Sequence, residues 1–473
     1  MKGPQAHRRL GCRLVALVSS RRRFFVTLLL LVATALAIRT TFVLGVARYD
    51  QHFYDAAYYQ LQADRVAFGG GFTDPFLPIT HPQAPPMPSA QHPPLTVLAL
   101  TPVAWATNGS QLAMRFAMVV LGAVTVGLVG LLAREIAGDG VGLLAAGFAA
   151  AYPFLWVNDG LIMSETLTAL TVVAALLLAY KLVRRPRLLT AAGLGAVCGL
   201  ATLARAEVVL LAPLLAGWLL VSKRLPSVRS RLTSAATMLV ASALVIAPWF
   251  GYNLARFHDP TFVSTNDGIA LLGSNCDIAY YGKPIGGTTL TAGHCLPVNP
   301  PPGDDSVVAR AYRDQAFTYM RGHLQRLPVV LAARVGRDWS LFRPQDAVSE
   351  TEGRPGWATE LGLAFYYPLL ALAIGGTVVL WRRRAPVWPL LVPVIIVTLS
   401  TVVSYGQLRF RVEAEPVLVV LASVALAAVF SWWRQRRREP QIGPDRAEVS
   451  GAHSSPASPH PLTLRQQWAA LQP

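Results

Sequence analysis

The chain is short of charge. Only 14% of its 473 residues are Asp, Glu, Lys or Arg, where a soluble protein carries about 25%. Apolar residues make up 53%. A soluble globule is thereby excluded, and a polytopic membrane protein is implied. Acidic residues are scarcer than basic ones, 25 against 42, leaving a net charge of +17. In a soluble chain that excess would suggest nucleic acid. Here the Lys and Arg residues fall in short clusters between apolar runs, as the positive-inside rule describes, so a lipid bilayer and not nucleic acid is the expected partner. There are four cysteines, and no Cys/His spacing of a metal site. No cofactor is assigned; a divalent cation is compatible with the sequence. No Gly-rich nucleotide loop precedes a helix, which argues against a nucleotide-sugar donor used on the cytoplasmic side. No repeat is visible either.

What is present is a series of apolar runs near the 20 or so residues that span a bilayer. They lie at roughly 24–46, 112–133, 141–157, 161–180, 188–204, 207–222, 232–252, 360–381, 386–404 and 415–433. The fold class expected is an all-α polytopic membrane protein of about ten transmembrane helices. "LTVLALTPVAWA" at 95–106 is too short to span and reads as an interfacial or re-entrant helix. "ALA" at 35–37 could end a secretory signal, but the apolar run continues past it to "FVLGVA".

Basic clusters orient the spans. "RRR" at 21–23, "KLVRRPR", "SKRLPSVRSR", "WRRRAP" and "WWRQRRR" all fall inside if both termini are cytoplasmic. The organisation expected is a basic cytoplasmic arm (1–23) and an N-terminal membrane module (24–252) with an outer loop at 47–111. An extracytoplasmic insertion (253–359), C-terminal spans (360–433) and a disordered cytoplasmic tail (434–473) complete it. Cys276 and Cys295 fall outside, where an oxidising compartment favours a disulfide. Closing that loop is worth about 3 kcal/mol in the chain-entropy model.

Polar residues gather at one face. "FYDAAYYQLQAD" (53–64) carries Asp55, Tyr58, Tyr59 and Asp64. "HPPL" at 92–95 holds His92, "NDGLIMSE" holds Asp159 and Glu165, and "ARAE" holds Arg205 and Glu207. "YGQLRFRVEAE" contributes Arg409, Arg411, Glu413 and Glu415. Ionisable residues at the membrane are functional candidates. Arginines suit phosphate, a carboxylate can take a proton from a hydroxyl, and aromatic rings suit sugar faces. Each also has a plainer reading. Tyr54, Tyr58 and Tyr59 could form an interfacial belt, Arg205 with Glu207 a structural pair, and Glu413 and Glu415 surface charges. Asp50 and Asp64 read as solvated loop residues, and Arg39 as an arginine snorkelling to the interface.

Six stretches together resemble the GT-C superfamily of polyprenyl-phosphate-sugar-dependent glycosyltransferases. They are "YDAAYYQLQADRVAFGGGF", "HPPLTVLALTPVAWA", "MRFAMVVLGAVTVGLVGLLAREIAGDGVGLLAAGFAAAYPFLW", "MSETLTALTVVAALLLAY", "GAVCGLATLARAEVVLLAPLL" and "RFRVEAEPVLVVLAS". They look most like the bacterial branch related to protein O-mannosyltransferases and the lipid A aminoarabinose transferase. The resemblance implies a multi-pass protein of the bacterial plasma membrane, active on its outer face. It would move a hexosyl or pentosyl group from a polyprenyl-phosphate sugar to an acceptor on protein, cell-wall glycan or glycolipid, with inversion. Asp55 matches the position of the general base, with Asp50 as the fallback. His92 stands where a basic residue often precedes the Pro-Pro. Arg409, Arg411 and Arg205 are the candidates for the donor's phosphate, with Glu165 and Glu207 beside them. The alternatives are a transporter or flippase of lipid-linked sugars, a polysaccharide polymerase and a membrane scaffold. A transporter site would sit near the midplane, and a scaffold would not need a one-sided polar cluster.

Overall fold

The computed structural model describes residues 5–49, 55–290, 293–349 and 353–437. Asp50, Tyr54 and nearly all of the C-terminal tail lie outside them. The chain divides into two units, Met1–Val429 and Phe430–Pro473. Apart from isolated bridges, one of them between Thr73 and Pro88, the described residues form helices, turns and loops.

Six helices are long and apolar enough to cross a bilayer: Arg21–Tyr49, Gln111–Ala137, Glu165–Arg184, Val228–Arg256, Gly356–Arg382 and Glu415–Arg436. The expected arm at 1–23 and the first span merge, because one helix runs from Gln5 to Gly45. A seventh span forms if Asp139–Ala151 and Pro153–Asp159, bent by 57°, are taken together. The bend has a local cause. Pro153 has no N–H to continue the ladder and disfavours α backbone at the residue before it, and Tyr152 is extended at φ −72°, ψ 117°. Three further apolar runs become shorter helices, Leu188–Ala204, Ala206–Val221 and Trp388–Val403. At 1.5 Å per residue, 16 or 17 residues reach about 25 Å, short of a ~30 Å hydrocarbon core. The run expected at 207–222 starts as a 3₁₀ turn, Ala206–Leu210, before Leu211–Val221.

The described residues of the segment expected outside, 47–111, fold onto the long apolar helices. Asp55–Ala67 is a helix, packed through Tyr58, Tyr59 and Ala63 against Val97, Leu100 and Ala104 of the helix Leu95–Thr107. The latter buries one face and leaves Leu98 and Trp105 exposed, as an interfacial helix would. In the segment 253–359, also expected outside, Asp304 caps the helix Asp305–Gly322 by accepting from Ser306 N and Val307 N, the usual use of an N-terminal aspartate. Cys276 and Cys295 form a disulfide with Cα atoms 5.5 Å apart. Within the second unit, the rings of Phe430 and Trp433 stack 6.2 Å apart, with Arg437 over Trp433.

Candidate active site

Three segments distant in sequence meet at Asp55. It opens the helix Asp55–Ala67, where a negative charge is favoured by the helix dipole. One carboxylate oxygen accepts from Arg409 Nη1 at 2.6 Å; the other lies 3.4 Å from His92 Nε2. Arg409 belongs to the 3₁₀ turn Leu408–Glu413. His92 stands just ahead of the Pro93-Pro94 entry to the helix Leu95–Thr107. Burial alone would raise the Asp55 pKa, but Arg409 and then His92 hold it well below the usual carboxylate range.

Tyr58 and Tyr59 follow Asp55 by three and four residues and so share its helical face. Neither forms an interfacial belt: they are 1% and 2% exposed. Their rings lie 4.9 and 5.1 Å from the His92 ring, fixing it beside Asp55. Burial pushes the Tyr58 hydroxyl up to about 12, so it stays protonated. Asp64 is likewise no loop residue. It sits half-buried within the same helix, and burial raises its pKa.

Behind Arg409 lies a buried charge network. Arg205 Nε donates to Glu207 at 2.7 Å. Its guanidinium is 3.4 Å from Glu413 and 3.6 Å from Glu165. Arg354 reaches Glu165 at 3.3 Å and Asn158 at 3.0 Å. The Phe410 ring has Arg205 at 5.0 Å and Arg409 at 5.4 Å. Glu413 and Glu415, expected as surface charges, are 1% and 2% exposed. Burial pushes the Glu413 carboxyl up to about 8. Arg411 does not line the site. It is fully buried, bonding Glu415 at 2.5 Å, Asp338 O at 3.0 Å and Ser340 Oγ at 3.0 Å, with its guanidinium 3.6 Å above the Tyr366 ring. Arg39 does not snorkel. It is buried and donates to Asp159 at 2.6 Å. Both corrections have one cause: each arginine finds an opposite charge inside, Arg411 in Glu415 and Arg39 in Asp159, and so need reach neither a ligand nor water.

Arg409 also lines a small cleft, together with Arg337, Arg343, Arg354, Gly406 and Gln407. Four arginines and no carboxylate line it. Arg337, Arg343 and Arg354 were not legible in the sequence, because the region 253–359 carries no motif that links them to Arg409. The spacing of Arg334 and Arg337, which puts both on one helical face, was the available signal. Among the described residues no group of three or more His, Cys, Asp or Glu is placed to hold a metal ion.

Residues 91–252, about a third of the chain, match the family model described as dolichyl-phosphate-mannose-protein mannosyltransferase. No curated protein matches the sequence. Among solved structures, the chain resembles the oligosaccharyltransferase AglB of Archaeoglobus fulgidus in complex with an inhibitory peptide and a dolichol-phosphate. The TM-score is 0.53 at 16% identity, covering 89% of this chain and 52% of that one. The apo form of the Archaeoglobus fulgidus oligosaccharyltransferase gives 0.54 at 16% identity, with 88% and 51% covered. A weaker likeness, 0.40 at 14% identity with 87% and 79% covered, is to ArnT of Cupriavidus metallidurans bound to undecaprenyl phosphate. The chain thus spans about half the length of the archaeal enzyme it matches. The likeness to these structures is one of fold, and the family match is confined to residues 91–252.

Proposed function

We propose that the chain is an integral membrane glycosyltransferase that moves a sugar from a polyprenyl phosphate to an acceptor on the outer face of a bacterial plasma membrane. One observation carries the reading: Asp55, a carboxylate able to receive a proton, pairs at 2.6 Å with Arg409, which also lines the four-arginine cleft. A proton acceptor and a phosphate-attracting surface therefore adjoin. The archaeal oligosaccharyltransferase of similar fold is in complex with an inhibitory peptide and a dolichol-phosphate, which supports a lipid phosphate here.

In the proposed reaction the acceptor's hydroxyl oxygen attacks the anomeric carbon from the face opposite the phosphate. Asp55 takes the hydroxyl proton as the new C–O bond forms. The bond from the anomeric carbon to the phosphate oxygen breaks, and the lipid phosphate leaves with the electron pair. Configuration inverts. Arg409, with Arg337, Arg343 and Arg354, offsets the charge that grows on the departing phosphate. His92 holds one Asp55 oxygen. Arg205, Glu165, Glu207 and Glu413 brace the turn that carries Arg409, and Arg411 anchors its far end to Glu415.

The test is single-turnover transfer by purified protein from a panel of polyprenyl-phosphate sugars, read by mass spectrometry. Asp55→Asn preserves size but removes the base, and transfer should fall by the roughly 10²–10⁴-fold that general-base catalysis contributes. Transfer by Asp55→Asn at the wild-type rate would sink the assignment.

A further inference from the structure

Arg409 occupies two roles that conflict. Its Nη1 holds the Asp55 carboxylate at 2.6 Å, while the same side chain forms part of the wall of the arginine cleft. A carboxylate held by a guanidinium is a weak base. A guanidinium neutralised by a carboxylate is correspondingly a weaker partner for phosphate. We infer that the donor's phosphate draws Arg409 away from Asp55, so that the base is released only when the donor is in place. The inference rests on the glycosyl-transfer reading above and adds to it a coupling between donor binding and activation of the base.

The surroundings support such an exchange. Asp55 is 25% exposed at its side chain, with Arg409 on one oxygen and His92 on the other. When Arg409 turns away, His92 remains to orient the carboxylate. On the cleft side, Arg337, Arg343 and Arg354 add positive charge to the lining; Asp346 holds Arg337 at 2.6 Å and Glu165 holds Arg354 at 3.3 Å, and Arg343 adds charge toward an incoming phosphate anion. The Phe410 ring lies beside the Arg409 guanidinium at 5.4 Å, and Tyr405 Oη lies 3.5 Å from its Nη2. Both offer a surface along which the planar group can turn. The turn itself stays fixed, because Glu413 lies against Arg205 and Arg411 is bonded to Glu415. A small rotation of one side chain would suffice.

The consequence is a sign that a simple base would not produce. If Arg409 must leave Asp55 to meet the donor, breaking that pair in advance should strengthen binding of the lipid phosphate. The experiment measures equilibrium binding of undecaprenyl phosphate, without sugar, to purified full-length protein in nanodiscs. Wild type, Asp55→Asn, Arg409→Gln and the double variant are compared, with Arg409→Met replacing Arg409→Gln if the latter does not fold. Asp55→Asn should bind about tenfold more tightly than wild type, the worth of one charge-assisted hydrogen bond. Adding the same change to Arg409→Gln should bring no such gain. Unchanged or weaker binding by Asp55→Asn overturns the coupling. So does an equal gain in both backgrounds, which would report only lost repulsion between Asp55 and phosphate. The two readings separate cleanly. Asp55→Asn that transfers normally sinks the base itself, whereas inactive Asp55→Asn with unchanged affinity sinks only the coupling.

Discussion

At the scale of single residues, buried charge is decided by partners. Arg205 faces Glu165, Glu207 and Glu413 in a nearly water-free setting. Arg205→Ala would leave Glu207 without its cation at 2.7 Å and Glu165 with Arg354 alone, a loss on the order of 3–5 kcal/mol. Glu413→Gln should behave in the opposite way. Burial already holds that carboxyl protonated up to about 8, so a neutral amide of the same shape replaces what is neutral at pH 7. Thermal unfolding of the purified variants should show a sharply lowered midpoint for the first and little change for the second. The pH dependence follows by linkage. A carboxyl whose folded pKa is raised keeps its proton in the folded state after the unfolded chain, near pH 4.3, has lost it. Its contribution therefore declines as pH rises from about 4.3 to 8. Wild type should lose stability relative to Glu413→Gln across that window, and parallel curves for the two would contradict the burial argument.

At the scale of elements, the disulfide loop reaches into the site through its backbone. Ile285 O accepts from Arg337 Nε at 2.6 Å, and Gly286 O accepts from Gly406 N at 2.8 Å. Gly406 must be glycine for this fit, since a Cβ there would lie 2.1 Å from Arg334 O. It begins the stretch that leads to Arg409 three residues later. The loop closed by Cys276 and Cys295 therefore sets both an arginine of the cleft and the start of the stretch that leads to Arg409. Replacing both cysteines by serine should lower stability by about 3 kcal/mol in the chain-entropy model. It should also raise the KM for donor more than it lowers kcat. Identical donor kinetics in the serine variant would show that the loop supports the fold without shaping the cleft.

At the scale of the whole molecule, the basic clusters and the polar site imply opposite faces. Lys223 lies in the basic segment between Leu211–Val221 and Val228–Arg256, and Pro301 in the segment that carries the disulfide. With Pro301→Cys, a membrane-impermeant thiol reagent should label intact cells. With Lys223→Cys, labelling should need permeabilisation. Labelling of Lys223→Cys from outside would reverse the topology and put the site on the cytoplasmic face.

Apolar run length and the placement of Lys and Arg are properties of the chain read in order, because insertion into a bilayer depends on local hydrophobicity and flanking charge. They specified the helical membrane class, the short apolar helix at 95–107 and the polar character of one set of loops. Asp55, His92 and Arg409 were each visible as candidates. Their meeting was not, since Asp55 and Arg409 are 354 positions apart and only packing of the helices brings them to 2.6 Å. The same holds for Arg39 with Asp159 and for Arg411 with Glu415. In sequence, Arg39 reads as a charge bound for water, Glu415 as a surface charge and Arg411 as a contact for phosphate. Tertiary structure decides otherwise, because in a low-dielectric interior the identity of the facing group, and not the residue's own polarity, determines whether a charge can remain there.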